Sequence, residues 1–140
     1  MPRFPAMRAC DHSLRWALLG LAVCALVGAV AAIWVPILRL SFAAVCHQIP
    51  DRSFAWAGAP LAVCARCLGL YAGAALAAAL PLPRCRYAWR LAVMLAAFHG
   101  LDWLCGISSG GLRFGAAALL LWLVLSDCLR LASAQWRAAN

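Results

Sequence analysis

The sequence predicts an all-α membrane protein, a bundle of four transmembrane helices with both termini cytoplasmic. Three observations carry this. Of the 140 residues, 67% are hydrophobic and 11% are charged, where a soluble domain carries about 25% charged residues. Four apolar runs approach the roughly 20 residues that cross a bilayer as helix, and none alternates as a barrel strand would. The basic residues are all arginine and lie mostly between these runs, so the net charge of +8 reads as an orientation signal, not as a nucleic-acid surface.

The chain is long enough for a single membrane domain. Its spans are expected at about residues 16–38, 58–82, 89–107 and 113–131. Arg66 interrupts the second, and His99 and Asp102 interrupt the third. Pro36, Pro60, Pro81, Pro83 and the Ser108-Ser109-Gly110-Gly111 stretch punctuate the ends. Each run carries small residues four apart, which let helices approach closely in lipid: Gly20, Cys24, Gly28 and Ala32; Ala65, Gly69, Gly73 and Ala77; Ala92, Ala96 and Gly100; Gly111 and Gly115. In so alanine-rich a chain many such spacings arise by chance. The second stripe is the most informative, because glycine costs helix stability unless close packing offsets it.

Arginines set the direction. Arg3, Arg8, Arg15, Arg84, Arg86, Arg90, Arg130 and Arg137 fall on one side of a four-span chain, against Arg39, Arg52 and Arg113 on the other. The richer side is expected in the cytoplasm of a bacterial cell. A rival reading takes the first run as a signal peptide with Ala29-Val30-Ala31 as its cleavage site. The apolar run continuing to Leu38 suits a span better.

This topology gathers the polar chemistry at the outer end. Cys46 and His47 lie in the first outer loop, Cys64 and Cys67 at the start of the second span, and His99, Asp102 and Cys105 at the end of the third. At 1.5 Å per residue, Arg66 lies roughly 9–12 Å below its helix start, and Asp102 lies at a similar depth. Opposite charges inside a membrane favour pairing, so Arg66 and Asp102 are expected to pair unless Arg66 snorkels to the surface. Cys64, Cys67 and Tyr71 share one helix face, with Arg66, Gly69 and Gly73 nearly opposite.

Three uses of the sulfurs follow. Cys46, His47, Cys64 and Cys67 offer a ligand set for zinc or a soft ion such as Cu(I). Adjacent Cys46 and His47 do not easily aim at one ion, so His99 or Cys105 could substitute. His47 reads equally well as a loop hydrogen-bonding group, and His99 more simply as a satisfied buried histidine. Alternatively, Cys64-x-x-Cys67 suits thiol–disulfide exchange, with Arg66 as the acidifying cation. Thirdly, the motif locks the outer loop in a non-enzymatic protein. Arg52 and Ser53 could hold an anionic group, although a solvated loop arginine is more usual. Cys10, Cys85 and Cys128 read as free cytoplasmic thiols and Cys24 as packing. There is no Ser–His–Asp set and no phosphate-binding glycine loop. With four acidic residues, carboxylate chemistry is nearly excluded.

The stretch Cys46-His47-Gln48-Ile49-Pro50-Asp51-Arg52-Ser53-Phe54, followed by Cys64-Ala65-Arg66-Cys67-Leu68-Gly69-Leu70-Tyr71-Ala72-Gly73, resembles a family of small, uncharacterised prokaryotic membrane proteins. That family, a domain of unknown function, is marked by CHQxPxRSF and then CxRCxGxYxG. The resemblance implies an integral membrane protein with these motifs between and within helices, and it supplies no activity. Downstream the family tends to an aspartate–glycine pair, where this chain has Asp102-Trp103. A later arginine and glycine correspond loosely to Arg113 and Gly115. The expected partners are membrane lipid and no nucleic acid, with no protein partner or substrate specified.

Overall fold

The structure is a computed structural model that describes residues 5–80, 87–106 and 109–139. Arg3, Pro81, Pro83, Arg84, Cys85, Arg86 and Ser108, invoked above, lie outside the described residues, as do the side chains of Arg8, Cys10 and Arg137. The elements run α1 (Pro5–Ala31), α2 (Pro36–Ala43), a 3₁₀ turn (Pro50–Arg52), β1 (Ala55–Trp56), β2 (Ala59–Pro60), α3 (Ala65–Ala79), α4 (Ala88–Cys105) and α5 (Gly110–Ala139).

Two expected spans are divided. The first, 16–38, breaks after Ala31, and α2 starts afresh at Pro36. Proline has no N–H to continue the ladder and bars helical geometry from the residue before it. Val35 accordingly sits at φ −121° and ψ 88°. The second, 58–82, is helical only from Ala65. Before it, Ala57 (φ 51°) and Gly58 (φ 79°) turn the chain, two successive positive φ values being the signature of a tight hairpin turn. The hairpin pairs Ala55 with Pro60 and Trp56 with Ala59. The third expected span matches α4 closely, and the fourth lies inside the longer α5.

Among the described residues, His12–Ala31 and Gly110–Gln135 are long and apolar enough to cross a membrane, whereas α3 is apolar but shorter. Its 15 residues reach only about 22 Å at 1.5 Å per residue.

Side-chain size is distributed as lipid solvent requires. Among the described residues, eleven of the sixteen buried hydrophobic residues are alanine. Large apolar side chains such as Trp16, Leu21, Val27, Met94, Leu101 and Leu104 point outward. Helix α3 is central, packed on α5 and α1, and α4 packs on α5. The second-span stripe is the working one: Ala65, Gly69, Gly73 and Ala77 are all buried. A Cβ on Gly69 would collide with the Phe114 carbonyl, and one on Gly73 with the Ala118 carbonyl. The other stripes are weaker. Gly20, Gly100, Gly111 and Gly115 have nothing within 4 Å of a built Cβ, and Gly28 touches only the Phe42 ring.

Candidate metal centre

The site forms where three helix ends meet. Helix α3 begins there, α4 ends there, and α5 begins there. Cys64 occupies the N-cap of α3 in extended conformation, so its side chain stands at the open helix end. Cys67, one turn on, returns to the same face, and their Sγ atoms lie 3.5 Å apart. Cys46 arrives from the loop after α2, and its Sγ accepts a hydrogen bond from the Cys64 backbone N–H at 3.2 Å. The three sulfurs lie within 4.8 Å of one another. A metal ion with Zn–S bonds of about 2.3 Å spaces its sulfurs by roughly 3.8 Å, so the group matches one ion with small adjustments.

Loop geometry delivers Cys46. Gln48 takes a left-handed backbone (φ 51°), rare for a non-glycine residue, and its amide nitrogen donates to the Arg39 carbonyl. Arg39 in turn donates to the Pro60 carbonyl at 3.3 Å, tying α2 to the hairpin. The 3₁₀ turn is closed by Ser53, whose hydroxyl donates to the Ile49 carbonyl at 2.9 Å. Behind the sulfurs, Ala29 and Val63 are fully buried with Cys46, and Phe42, Leu68 and Tyr71 pack on them. The Tyr71 ring lies 6.4 Å from that of Phe42, so the sulfur face of α3 carries Tyr71 as its spacing predicts.

The charged groups form a second layer. Asp102, 1% exposed, accepts from Arg66 at 3.0 Å and from Arg113 at 2.8 and 3.3 Å. The expected Arg66–Asp102 pair is therefore present. Arg113, expected only in the charged surround, makes the closer and two-pronged contact. One carboxylate thus clamps α3, α4 and α5 together.

The Cys64 thiol, lying before the first residue of α3, is pulled from the ordinary 9.0 down to about 5. The first cause is the hydrogen bond from the Cys67 thiol. Backbone N–H groups of Cys67 and Arg66 and the Cys46 thiol add to it, against desolvation. An anionic sulfur at a helix N-terminus is electrostatically favoured.

Other expected participants are placed differently. His47 is exposed and lines the same cavity as the sulfurs, but its ring is not in the three-sulfur group. Cys105 is exposed and outside the group. His99 does not join the sulfurs either. Its ring nitrogens are buried on the face of α4 toward α5 and meet no hydrogen-bond partner of good geometry among the described residues, with the Ala116 backbone the polar group beside them. Cys24 is exposed and not packed, and Cys128 is an exposed free thiol. Sequence reasoning assigned no role to Gln48 or Trp103, which lines the cavity. The left-handed turn at Gln48 carries no sequence signal, because glycine, asparagine and aspartate are the residues that adopt it routinely.

A family model described as "Predicted membrane protein (DUF2085)" matches residues 46–129. The chain belongs to this family. The matched stretch opens at Cys46 and takes in the sulfurs, Asp102 and Arg113. An uncharacterised protein of Methanocaldococcus jannaschii is 53% identical over 32 residues, which are 23% of this chain and 20% of that protein. The match thus spans about a fifth of the length of that curated relative. No solved structure matches.

Proposed function

We propose that this DUF2085 protein is a four-helix bundle of the bacterial cytoplasmic membrane whose outer end binds a zinc or copper ion. Cys46, Cys64 and Cys67 are its thiolate ligands, and His47 is the candidate fourth. The observation that carries this reading is the convergence of three sulfurs within 4.8 Å at the N-terminus of α3. Soft thiolates select Zn²⁺ and Cu(I) over hard ions. A helix N-terminus, and a Cys64 thiol whose pKa is pulled down to about 5, favour the deprotonated form that a metal needs. Both termini lie in the cytoplasm under this reading, with Arg15, Arg90 and Arg130 at the inner rim. Helix α1 is retained as a span, since Ala29 belongs to the buried cluster behind Cys46.

Elemental analysis of the full chain, purified anaerobically in neutral detergent, tests the metal. Close to one equivalent of zinc or copper is expected in the wild type, and much less in Cys64→Ser. Absence of metal from both proteins would overturn the reading.

A second reading draws on the acidified Cys64 and its 3.5 Å approach to Cys67. These two thiols would cycle between dithiol and disulfide as a membrane oxidoreductase, passing two electrons and two protons to or from a partner. Maleimide labelling separates the alternatives. Thiols unmasked by a chelator support metal, and thiols unmasked only by a reductant support exchange. If both Cys64→Ser and Cys67→Ser change protein level alone, with neither metal nor redox signature in the wild type, the motif is a structural lock.

A further inference from the structure

Beside the sulfurs lies a cavity of about 300 Å³ whose wall includes Arg52, Arg66 and Arg113. Three guanidiniums in one wall repel one another unless anions intervene. Among the described residues, the only carboxylate paired with them is Asp102, which engages Arg66 and Arg113. Asp51 is exposed and pairs with none of them. The backbone N–H of Arg52 donates to the Ile49 carbonyl, but its half-buried side chain makes no hydrogen bond or ion pair among the described residues. The Arg66 Nε is buried and donates to nothing.

Within the wall, one carboxylate, Asp102, faces three guanidiniums. The cavity therefore holds more guanidiniums than carboxylates, and the Arg52 head and the Arg66 Nε keep spare N–H donors to direct at an anion. Arginine's planar fork suits phosphate-type oxyanions. Val45, Ile49 and Trp103 supply an apolar part of the same wall, as a ligand with a hydrocarbon portion would use.

We infer that this cavity is a binding site for a phosphate-type oxyanion, held by Arg52 together with the Asp102-oriented guanidiniums of Arg66 and Arg113. The oxyanion is either the phosphodiester of a lipid headgroup or a free phosphate. The site does not require a metal on the sulfurs, so it stands or falls separately from the reading above.

The test uses the full chain in neutral detergent at low ionic strength, with two probes. Radiolabelled inorganic phosphate is followed by equilibrium dialysis, and short-chain phosphatidylglycerol by calorimetry. One-to-one saturable binding of at least one probe is expected. Arg52→Gln should weaken it about tenfold or more, the scale of one charge-assisted hydrogen bond, while Arg52→Lys should lose less. Arg130→Gln, at the far end of α5, should bind as the wild type does. Binding of phosphate alone identifies a free ion, and binding of phosphatidylglycerol alone identifies the headgroup. Arg52→Gln removes no side-chain hydrogen bond or ion pair within the described residues, so its thermal unfolding should match the wild type and certify the comparison. Failure of both probes to saturate would overturn the inference, as would unchanged affinity in a folded Arg52→Gln.

Discussion

Arg113 holds Asp102 through two nitrogens, Nε to Oδ2 at 2.8 Å and a terminal nitrogen to Oδ1 at 3.3 Å. The carboxylate sits in the last turn of α4 and the guanidinium in the first turn of α5, and the side chains are 1% and 9% exposed. Two-pronged pairing of this kind fixes orientation as well as energy. Around it the chain reverses through Gly106, which takes the left-handed cap (φ 65°) and donates its N–H to the Asp102 carbonyl at 2.8 Å.

Removing the shared acceptor should therefore be costly. Asp102→Asn leaves two guanidiniums facing each other, one of them buried, and breaking a buried pair from one side costs about 3–5 kcal/mol. Arg66→Gln should cost less, about 1 kcal/mol or under, because the Arg66 side chain is 27% exposed and exposed ion pairs contribute little. Unfolding of purified variants in detergent, followed by circular dichroism, measures both. Equal losses for the two variants would contradict the assignment of Arg113 as the main partner.

The glycine stripe of α3 gives a second expectation with a built-in control. Gly69→Ala and Gly73→Ala each drive a methyl group into a backbone carbonyl of α5, which cannot swing away as a flexible side chain can. Overpacking of this sort costs about 1–3 kcal/mol. Gly111→Ala and Gly115→Ala meet open space, and the gain in helix propensity should stabilise by up to about 1 kcal/mol. The same unfolding assay reads all four. A destabilised Gly115→Ala, or a neutral Gly69→Ala, would mean that the α3–α5 contact is misplaced.

These two sets of residues show where sequence reasoning reached and where it stopped. Depth matching found the Arg66–Asp102 pair, because helical rise converts residue number into height and opposite charges in an apolar medium have few alternatives. Spacing also placed Cys64, Cys67 and Tyr71 on one face, since three or four residues make a turn. It did not find the break at Val35-Pro36, because apolar character runs through it while backbone geometry does not. Nor did it separate Gly69 and Gly73 from Gly111 and Gly115, because identical spacing says nothing about which helix lies opposite. Hydropathy likewise hid the hairpin at Ala55–Pro60, whose turn is set by the backbone angles of Ala57 and Gly58. Cys105 shows the limit of depth alone: at the expected end of α4, it is exposed and stands outside the three-sulfur group.

The thiol of Cys64 should betray its low pKa by its reactivity. The thiolate is the nucleophile, and folding shifts its formation from an ordinary 9.0 to about 5. Alkylation of metal-free, reduced protein by iodoacetamide should therefore be half-maximal near pH 5 at this position and persist at pH 6, where an ordinary thiol is almost wholly protonated. The folded state binds the proton less tightly than the unfolded chain. The associated stability is thus complete above about pH 9, shrinks as pH falls, and is gone below about pH 5. Mass spectrometry of peptides labelled across a pH series gives the profile. In Cys67→Ala, which removes the leading hydrogen bond, the midpoint should move upward. A wild-type midpoint near 9 would remove the acidified thiol from both functional readings.

Orientation in the membrane decides what chemistry the sulfurs can meet. If the basic residues at the inner rim set the direction, the segment between α2 and α3 faces the oxidising side. Alkaline phosphatase fused after Pro50 should then be active, and a fluorescent protein fused after Asn140 should fluoresce inside the cell. Replacing Arg15, Arg90 and Arg130 with glutamine should weaken both signals by eroding the charge asymmetry, whereas Arg52→Gln should not. The mature chain should keep its N-terminus, because cleavage after Ala31 would remove Ala29 from the cluster that backs Cys46. Loss of residues before Ala32 by intact mass would leave α2 to α5 and the sulfur loop still outside. A silent phosphatase after Pro50 would instead put Cys46, Cys64 and Cys67 among cytoplasmic reductants, where a thiol–disulfide cycle with an outer partner has no route.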